Sequence, residues 1–312
     1  MEFEGSEKKL EIIFNSDTNL LKAEQSVWDA VVKEANATIL SMIENDQQKA
    51  FLLSESSLFV WSDRILLITC GQTSLISSVQ EILKHFIKED IDLLIYQRKN
   101  EYFSWLQPSS FYDDIKYLKS EFEGTALRFG EMDEHHHFIF HTKKSYTPQT
   151  DDNTKEFLLY GLAGDVSKML TNPTLTAQDI RSFLNLDKIL NGFIIDDYKF
   201  DPYGYSVNAI KDSLYLTIHI TPQEGSSYIS FETNINLEEH LDLFIEILRP
   251  SSFDFINFIP GNETQDTDAV LKVKFPYEHK KDIYETLSCG YHMGLTSIYL
   301  TSSLNNKPMI IE

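Results

Sequence analysis

The 312-residue sequence predicts an α+β fold: a four-layer α/β/β/α sandwich of two stacked, mainly antiparallel sheets with helices on the outer faces. Three observations carry this. Short segments rich in β-branched and aromatic residues follow one another through tight connections, the pattern of antiparallel strands. Amphipathic stripes of helical period lie between them, suited to cover one face of each sheet. A strand–turn–strand unit recurs in the two halves, which points to a duplicated half and to two sheets packed face to face.

Strand-like segments in the first half are Lys9–Asn15, Ala50–Ser54, Leu58–Trp61, Arg64–Thr69, Asp92–Arg98 and Phe138–Thr142. Those in the second half are Phe193–Phe200, Ser213–Ile220, Ser227–Thr233, Phe253–Ile259 and Ala269–Phe275. Helical spacing is clearest at Leu75, Ile76, Val79, Ile82, Leu83, Phe86 and Ile87. Shorter stripes occur at Trp28–Ala35, Phe111–Leu118, Phe157–Met169, Ile180–Leu184 and Leu241–Leu248. Hairpin turns are expected at Trp61-Ser62-Asp63-Arg64 and Ile210-Lys211-Asp212-Ser213. The recurring unit aligns Ser54–Cys70 with Tyr205–His219, setting Ser56 against Ser206 and Cys70 against His219. The polar stretch Tyr146–Asn153 is the expected crossover, so one domain of residues 1–312 divides into halves of about 1–150 and 151–312.

The chain carries 27 Lys+Arg against 48 Asp+Glu, a net charge of −21, which argues against nucleic acid and anionic membranes as partners. Two cysteines, Cys70 and Cys289, are too few for a disulfide scaffold and suit a reducing compartment. The acidic start lacks the apolar core of a signal peptide, and no apolar run approaches the ~18 residues of a membrane span. A cytoplasmic location is therefore expected. Neither a glycine-rich phosphate loop nor a G-x-S-x-G nucleophile elbow is present.

Five clusters could carry chemistry. Ser54-Glu55-Ser56-Ser57 interrupts apolar strand sequence, and Cys70-Gly71 ends a strand. Phe200–Ser206 precedes Thr217–Pro222, and Phe3-Glu4-Gly5-Ser6-Glu7 leads to Glu11. Taken singly, each has a bland reading: hydroxyls serving the backbone, a small buried thiol, a core histidine, solvated acids. The fifth cluster, Glu131–His137 with His141, reads as an exposed hairpin tip. Successive strand histidines point to opposite faces, so no metal is expected there.

Together, Phe3–Lys8, Leu53–Ser57, Thr69–Gly71, Tyr96–Asn100, Pro202–Asn208, Thr217–Pro222 and Ser227–Asn234 span nearly the whole chain. Their residues and order resemble one family, the eukaryotic S-adenosylmethionine decarboxylase proenzymes. The resemblance implies a pyruvoyl-dependent carboxy-lyase that converts S-adenosylmethionine to its decarboxylated form, the aminopropyl donor of spermidine and spermine synthesis. Decarboxylating an α-amino acid needs an electron sink that ordinary side chains lack. The family makes one from a serine, here Ser56, by cleaving the Glu55–Ser56 bond, which implies a β chain of residues 1–55 and an α chain of 56–312. The pyruvoyl group would then form a Schiff base with the substrate.

The same resemblance assigns the remaining roles. Ser206 and His219 match the processing residues, Cys70 the proton donor, and Glu4 and Glu7 acids kept around the site. Phe3 and Phe200 match the aromatics that sandwich the adenine, Leu53 and Glu55 its backbone contacts, and Gln223 the ribose contact. An activating diamine, putrescine, is implied at Glu11, Arg98, Asp152, Thr154, Glu156, Glu232 and Phe258. Members occur as homodimers and monomers. Gln223 stands where the family has a glutamate, Ile68 where animal enzymes have a lysine, and Tyr203 where a cysteine is common. The rival reading is a catalytically dead paralogue that regulates a true decarboxylase, but Ser56, Cys70, Ser206 and His219 are all present.

Overall fold

The computed structural model describes residues 3–143, 146–150, 152–261, 274 and 276–301. The first sheet is built from β1 (Lys8–Phe14), β2 (Ile39–Glu44), β3 (Gln48–Leu53), β4 (Ser56–Trp61), β5 (Arg64–Thr69), β6 (Ile91–Arg98), β7 (Gly124–Phe129) and β8 (His137–Thr142). The second is built from β9 (Thr154–Tyr160), β10 (Ile194–Lys199), β11 (Tyr205–Lys211), β12 (Leu214–Thr221), β13 (Tyr228–Thr233), β14 (Ser252–Pro260), β15 (Tyr277–Thr286) and β16 (Tyr291–Leu300). The strand orders are β2-β3-β4-β5-β1-β6-β8-β7 and β10-β11-β12-β13-β9-β14-β16-β15, the same order offset by eight strands. Every pairing is antiparallel.

Period-two alternation assigns the layers. Leu10, Ile12, Leu58, Val60, Leu94 and Tyr96 face α1 (Gln25–Glu34), α2 (Leu75–His85) and α3 (Phe111–Glu121) in one outer core. Phe157, Leu159, Val207, Leu216, Ile218 and Phe231 face α4 (Gly164–Leu170), α5 (Ala177–Phe183), α6 (Leu186–Ile189) and α7 (Glu238–Leu248) in the other. Between the sheets lie two apolar patches. One joins Ile13, Leu93 and Ile139 to Leu158, Ile256 and Met293. The other joins Ala50, Phe59 and Ile68 to Ile210 and Tyr215. The four-layer sandwich is thus realised, and the space between the two inner patches is polar.

Both expected hairpin turns are present, with Ser62-Asp63 joining β4 to β5 and Asp212-Ser213 joining β11 to β12. Asp212 sits at φ +52°, which aspartate tolerates in tight turns. Three readings change. The stripe Phe157–Met169 is not one helix: Phe157–Tyr160 ends β9, and α4 begins at Gly164. β9 is central and buried on both faces, so its four consecutive apolar residues carry no period that separates strand from helix. The internal alignment is off by one strand. By sheet position, β11–β12 corresponds to β3–β4, whereas the sequence unit matched it to β4–β5. Strands β2, β7, β15 and β16 lacked a clear signal. β2 and β15 lie on sheet edges with alternate residues exposed. The segment Ala269–Phe275 lies outside the described residues, Lys274 excepted.

Candidate active site

The β3–β4 hairpin places the site. Leu53 pairs with Ser56, so Ser54-Glu55 forms a two-residue turn and Ser56 opens β4 opposite Thr69 of β5. Ser56 is 2% exposed and held at φ +117°, a region that L-residues avoid. Such a conformation costs about 1–3 kcal/mol and persists only where its surroundings fix it. The carbonyl of Glu55 accepts a hydrogen bond from the Cys70 N–H at 3.1 Å, which polarises the carbon next to Ser56. The Ser56 hydroxyl donates to Cys70 Sγ at 3.4 Å. A serine oxygen reaches its preceding carbonyl through a five-membered ring, so chain adjacency already supplies proximity.

The second sheet brings a histidine. Ser206 and His219 are register partners on β11 and β12, and Ser206 Oγ lies 2.8 Å from His219 Nδ1. Ser57, next to Ser56, crosses the gap between the sheets. Its hydroxyl donates to Asn208 Oδ1 at 2.6 Å and lies 3.3 Å from His219 Nε2. Thr217 Oγ1 is 2.9 Å from Asn208 Oδ1 and 2.9 Å from His219 Nε2. Burial pushes the His219 imidazole down to about 4, so it is neutral and able to accept a proton at neutral pH. Burial, reinforced by Glu55, pushes the Cys70 thiol far up, so it holds its proton. Burial also lifts the Glu55 carboxyl to about 7, against the attraction of Lys8. Lys8 Nζ donates to the Gly71 carbonyl at 3.1 Å and to the Gln107 side chain.

The other expected site residues divide. Glu7 joins the constellation: it accepts from Lys99 Nζ at 2.9 Å and from Ser230, the β13 partner of His219. Glu4 instead accepts the backbone N–H groups of Ser6 at 3.1 Å and Phe103 at 2.6 Å, so its carboxylate ties the N-terminal segment to the loop after β6. Phe3 and Phe200 both lie near the end of β12. The Phe3 N–H donates to Gln223 Oε1 at 3.2 Å, and Phe200 packs on Gly204 beside the Ile220 carbonyl. Gly71, at φ +64°, is pinched between Glu55 and the edge of the Phe3 ring, leaving no room for a β-carbon. Leu53 is fully buried beside the turn, and Glu224 is exposed.

The acidic group forms, but with its own cations. Lys9 Nζ sits 3.0 Å from Glu156 and 2.8 Å from Glu232. Lys99 Nζ sits 2.9 Å from both Glu7 and Glu156. Arg64 reaches Asp152 at 2.5 Å and Glu11 at 3.4 Å, and Asp152 also accepts from Tyr291 at 2.6 Å. Phe258, paired with Thr154, places its ring 5.6 Å from Lys9 Nζ. Burial would raise the carboxyls of Glu156 and Asp152, but the adjacent cations outweigh it and hold both below the usual range. For Glu232 burial prevails, and its carboxyl rises to about 7. A cavity of about 410 Å³, lined in part by Trp61, Arg64, Asp152 and Tyr215, opens beside this group.

Arg98 does not join it. On β6, Tyr96 and Arg98 face the helices, where Arg98 pairs with Asp114 at 3.0 Å and Glu101 at 2.6 Å. Strand alternation turns Lys99 inward in its place. Ile68 is apolar packing between the sheets, and the cations among the acids are Lys9 and Lys99. Lys9, Lys99, Asn208 and Thr217 lie in segments the sequence reading names, but it gives them no role of their own. Their one signal was a polar residue at alternate positions of an otherwise buried strand.

The histidine segment also needs correction. Glu131, Met132 and Asp133 are exposed, but His137 and His141 are 2% and 1% exposed within β8. His137 bonds Gln97 at 2.6 Å, and burial lowers its pKa to about 4. The hairpin between β7 and β8 is shorter than the polar composition suggested, so the histidines enter the sheet.

The comparisons with known proteins identify the family. The family model for adenosylmethionine decarboxylase matches residues 1–298. A Leishmania donovani S-adenosylmethionine decarboxylase proenzyme is 34% identical over 82% of this chain and 73% of its own length. The Drosophila melanogaster proenzyme is 32% identical over 95% and 90%, and that of Xenopus laevis 30% identical over 80% and 81%. The solved structure of Trypanosoma brucei AdoMetDC-delta26 monomer superposes with a TM-score of 0.61 at 24% identity, over 78% of this chain and 98% of that one, and supports the fold. A serine at a strained hairpin, a buried neutral histidine and a protonated thiol thus sit in a chain that matches the family along most of its length, and the chain belongs to the adenosylmethionine decarboxylase family, carboxy-lyases of polyamine biosynthesis.

Proposed function

We propose that the chain cleaves itself between Glu55 and Ser56, that Ser56 becomes the pyruvoyl group, and that Cys70 delivers a proton during decarboxylation of S-adenosylmethionine. The observation that carries this is the strained Ser56 beside a Glu55 carbonyl already polarised by Cys70 N–H. Ser56 Oγ attacks that carbonyl, the peptide C–N bond breaks as the hydroxyl proton passes to the Ser56 nitrogen, and an ester and a free amine form. His219 then takes the Ser56 α-proton, the Cβ–O bond breaks, and Glu55 leaves as a carboxylate. The remaining enamine becomes an imine, which water hydrolyses with loss of ammonia. The residues fit the group: its precursor serine, its base and its acid converge at one end of β4. When present, the pyruvoyl group supplies the electron sink for the departing CO2.

The chain's own residues do the rest. Cys70, protonated at neutral pH, holds the proton destined for the substrate α-carbon. Phe3 and Phe200 offer faces for the adenine, and an aromatic face beside the sulfonium adds about 0.5–2 kcal/mol. Gln223 stands at the ribose position with its oxygen already accepting the Phe3 N–H and its amide donating to Ser226 at 2.6 Å. A carboxylate there would accept more strongly from a ribose hydroxyl. Gln223→Glu is therefore expected to lower KM by about 5- to 30-fold, the equivalent of ~1–2 kcal/mol. An unchanged KM would remove Gln223 from substrate binding.

Lys9 occupies the place between Glu156 and Glu232 where a diamine was expected. We infer that it serves as a resident ammonium, so that basal activity does not depend on putrescine. Lys9→Met would leave two buried carboxylates without that partner, a cost of about 3–5 kcal/mol. The expected result is a less stable, less active variant that millimolar putrescine partly restores, while wild-type activity changes less than about twofold. Strong stimulation of the wild type, with Lys9→Met unimpaired, would overturn this. The free, buried Cys70 and Cys289 fit a cytoplasmic setting, and among the described residues no helix is long and apolar enough to cross a membrane. Nothing favours the regulatory-paralogue reading. On a denaturing gel, freshly purified protein should run as fragments of about 6 and 30 kDa, from a 36.1 kDa chain. A single full-length band from active protein would sink the proposal.

A further inference from the structure

We propose that Asn208, acting through Ser57 and Thr217, fixes the tautomer of His219, so that Nδ1 is the nitrogen that takes the Ser56 α-proton. This rests on the self-processing reading above and names the atom and the positioning residues that serve it.

The inference follows from counting protons. Asn208 Oδ1 can only accept, and it lies 2.6 Å from Ser57 Oγ and 2.9 Å from Thr217 Oγ1. Each hydroxyl owns one proton. With both protons committed to Asn208, the two oxygens offer only lone pairs to His219 Nε2, at 2.9 Å from Thr217 and 3.3 Å from Ser57. Nε2 must then carry the ring hydrogen. Nδ1, 2.8 Å from Ser206 Oγ, keeps its lone pair and accepts the Ser206 proton at rest. The other tautomer would turn one of the two hydroxyls from Asn208 to Nε2 and leave the buried Oδ1 with a single donor. Asn208 is fully buried, Ser57 0%, Thr217 1%, Ser206 4% and His219 6% exposed, so bulk water does not offer a ready replacement. Burial keeps the imidazole neutral, as a base requires.

The step balances. In the ester, the Nδ1 lone pair takes the Ser56 α-proton. The C–H electrons form the Cα=Cβ bond, and the Cβ–O electrons leave with the Glu55 carboxylate. The imidazolium then holds protons on both nitrogens, and Thr217 Oγ1 still accepts from Nε2–H. Ser206 must rotate its proton away from Nδ1 before the transfer, which gives that hydroxyl its own part in the timing. Asn208, Thr217 and Ser57 touch no reacting atom in this scheme and act through His219.

Two measurements test this. The first follows cleavage of newly synthesised chains on denaturing gels. Asn208→Leu should slow cleavage by about tenfold or more, Thr217→Val should slow it, and Thr217→Ser should recover to within about threefold of wild type. The second records ring ¹⁵N spectra of the uncleaved Ser56→Ala chain, with the His219 signals identified by their loss in His219→Gln. The expected tautomer is Nε2–H, shifting toward Nδ1–H when Asn208→Leu is added. If Asn208→Leu does not fold, the Thr217 pair and the Ser56→Ala spectrum still decide. Wild-type cleavage with Thr217→Val or Asn208→Leu equally fast, or Nδ1–H in Ser56→Ala, would overturn the assignment. A wild-type chain that never cleaves would instead refute self-processing, and the spectrum would still report the tautomer.

Discussion

Ser56→Ala should remain one chain of 312 residues and lose decarboxylase activity by at least ~10⁴-fold. Alanine has no oxygen to attack the Glu55 carbonyl, so no ester forms and no electron sink arises. Folding should survive the change. Ser56 is small and buried, its positive φ costs alanine no more than serine, and the bond lost is a long one to Cys70 Sγ at 3.4 Å. The thermal midpoint should therefore stay within a few degrees of the uncleaved chain's, a shift equivalent to at most about 1 kcal/mol. A cleaved Ser56→Ala chain, or one retaining more than about 1% of activity, would show that the sink comes from elsewhere.

The second large effect is expected at Cys70. Cys70→Ala should still cleave, because the carbonyl of Glu55 is polarised by the Cys70 backbone N–H, which the substitution keeps. It should lower kcat by about 10²- to 10⁴-fold with little change in KM, the range for loss of a positioned acid. The pH profile gives a second readout. Burial raises the Cys70 thiol above its ordinary range, so the acid form persists as pH rises and is lost only above that range. Wild-type kcat should thus show no falling limb from the thiol near its usual pKa of about 8.5. Equal kcat for Cys70→Ala and wild type would remove the thiol from the proton transfer.

The sequence made the sandwich legible because its central hairpins alternate cleanly and their turns carry Asp and Ser at tight positions. It failed where burial on both faces erased the period, as at Phe157–Tyr160, and at edge strands such as β15, where exposure dilutes the pattern. Ser56, Cys70, Ser206 and His219 each carry a bland reading singly, and it is the resemblance of the segments that hold them that implies their roles. The roles of their partners were not legible. Asn208 and Thr217 meet Ser57 only because two sheets stack, and contacts of β4 with β11 and β12 leave no trace in local spacing. The same holds for Lys9. A lysine beside Lys8 reads as one of two surface charges, yet alternation sends Lys9 between Glu156 and Glu232 while Lys8 turns to the Gly71 carbonyl. Arg98 turns to Asp114, while Lys99, one position on, reaches Glu156.

The most direct test is the intact mass of freshly purified wild-type protein. Cleavage before Ser56 leaves a fragment of 55 residues and one of 312 − 55 = 257. The larger fragment should lack a free amino group at position 56 and carry the mass of a pyruvoyl group there. Active protein with a single mass for the whole chain, or a larger fragment that begins with an unmodified serine, would contradict the self-processing scheme.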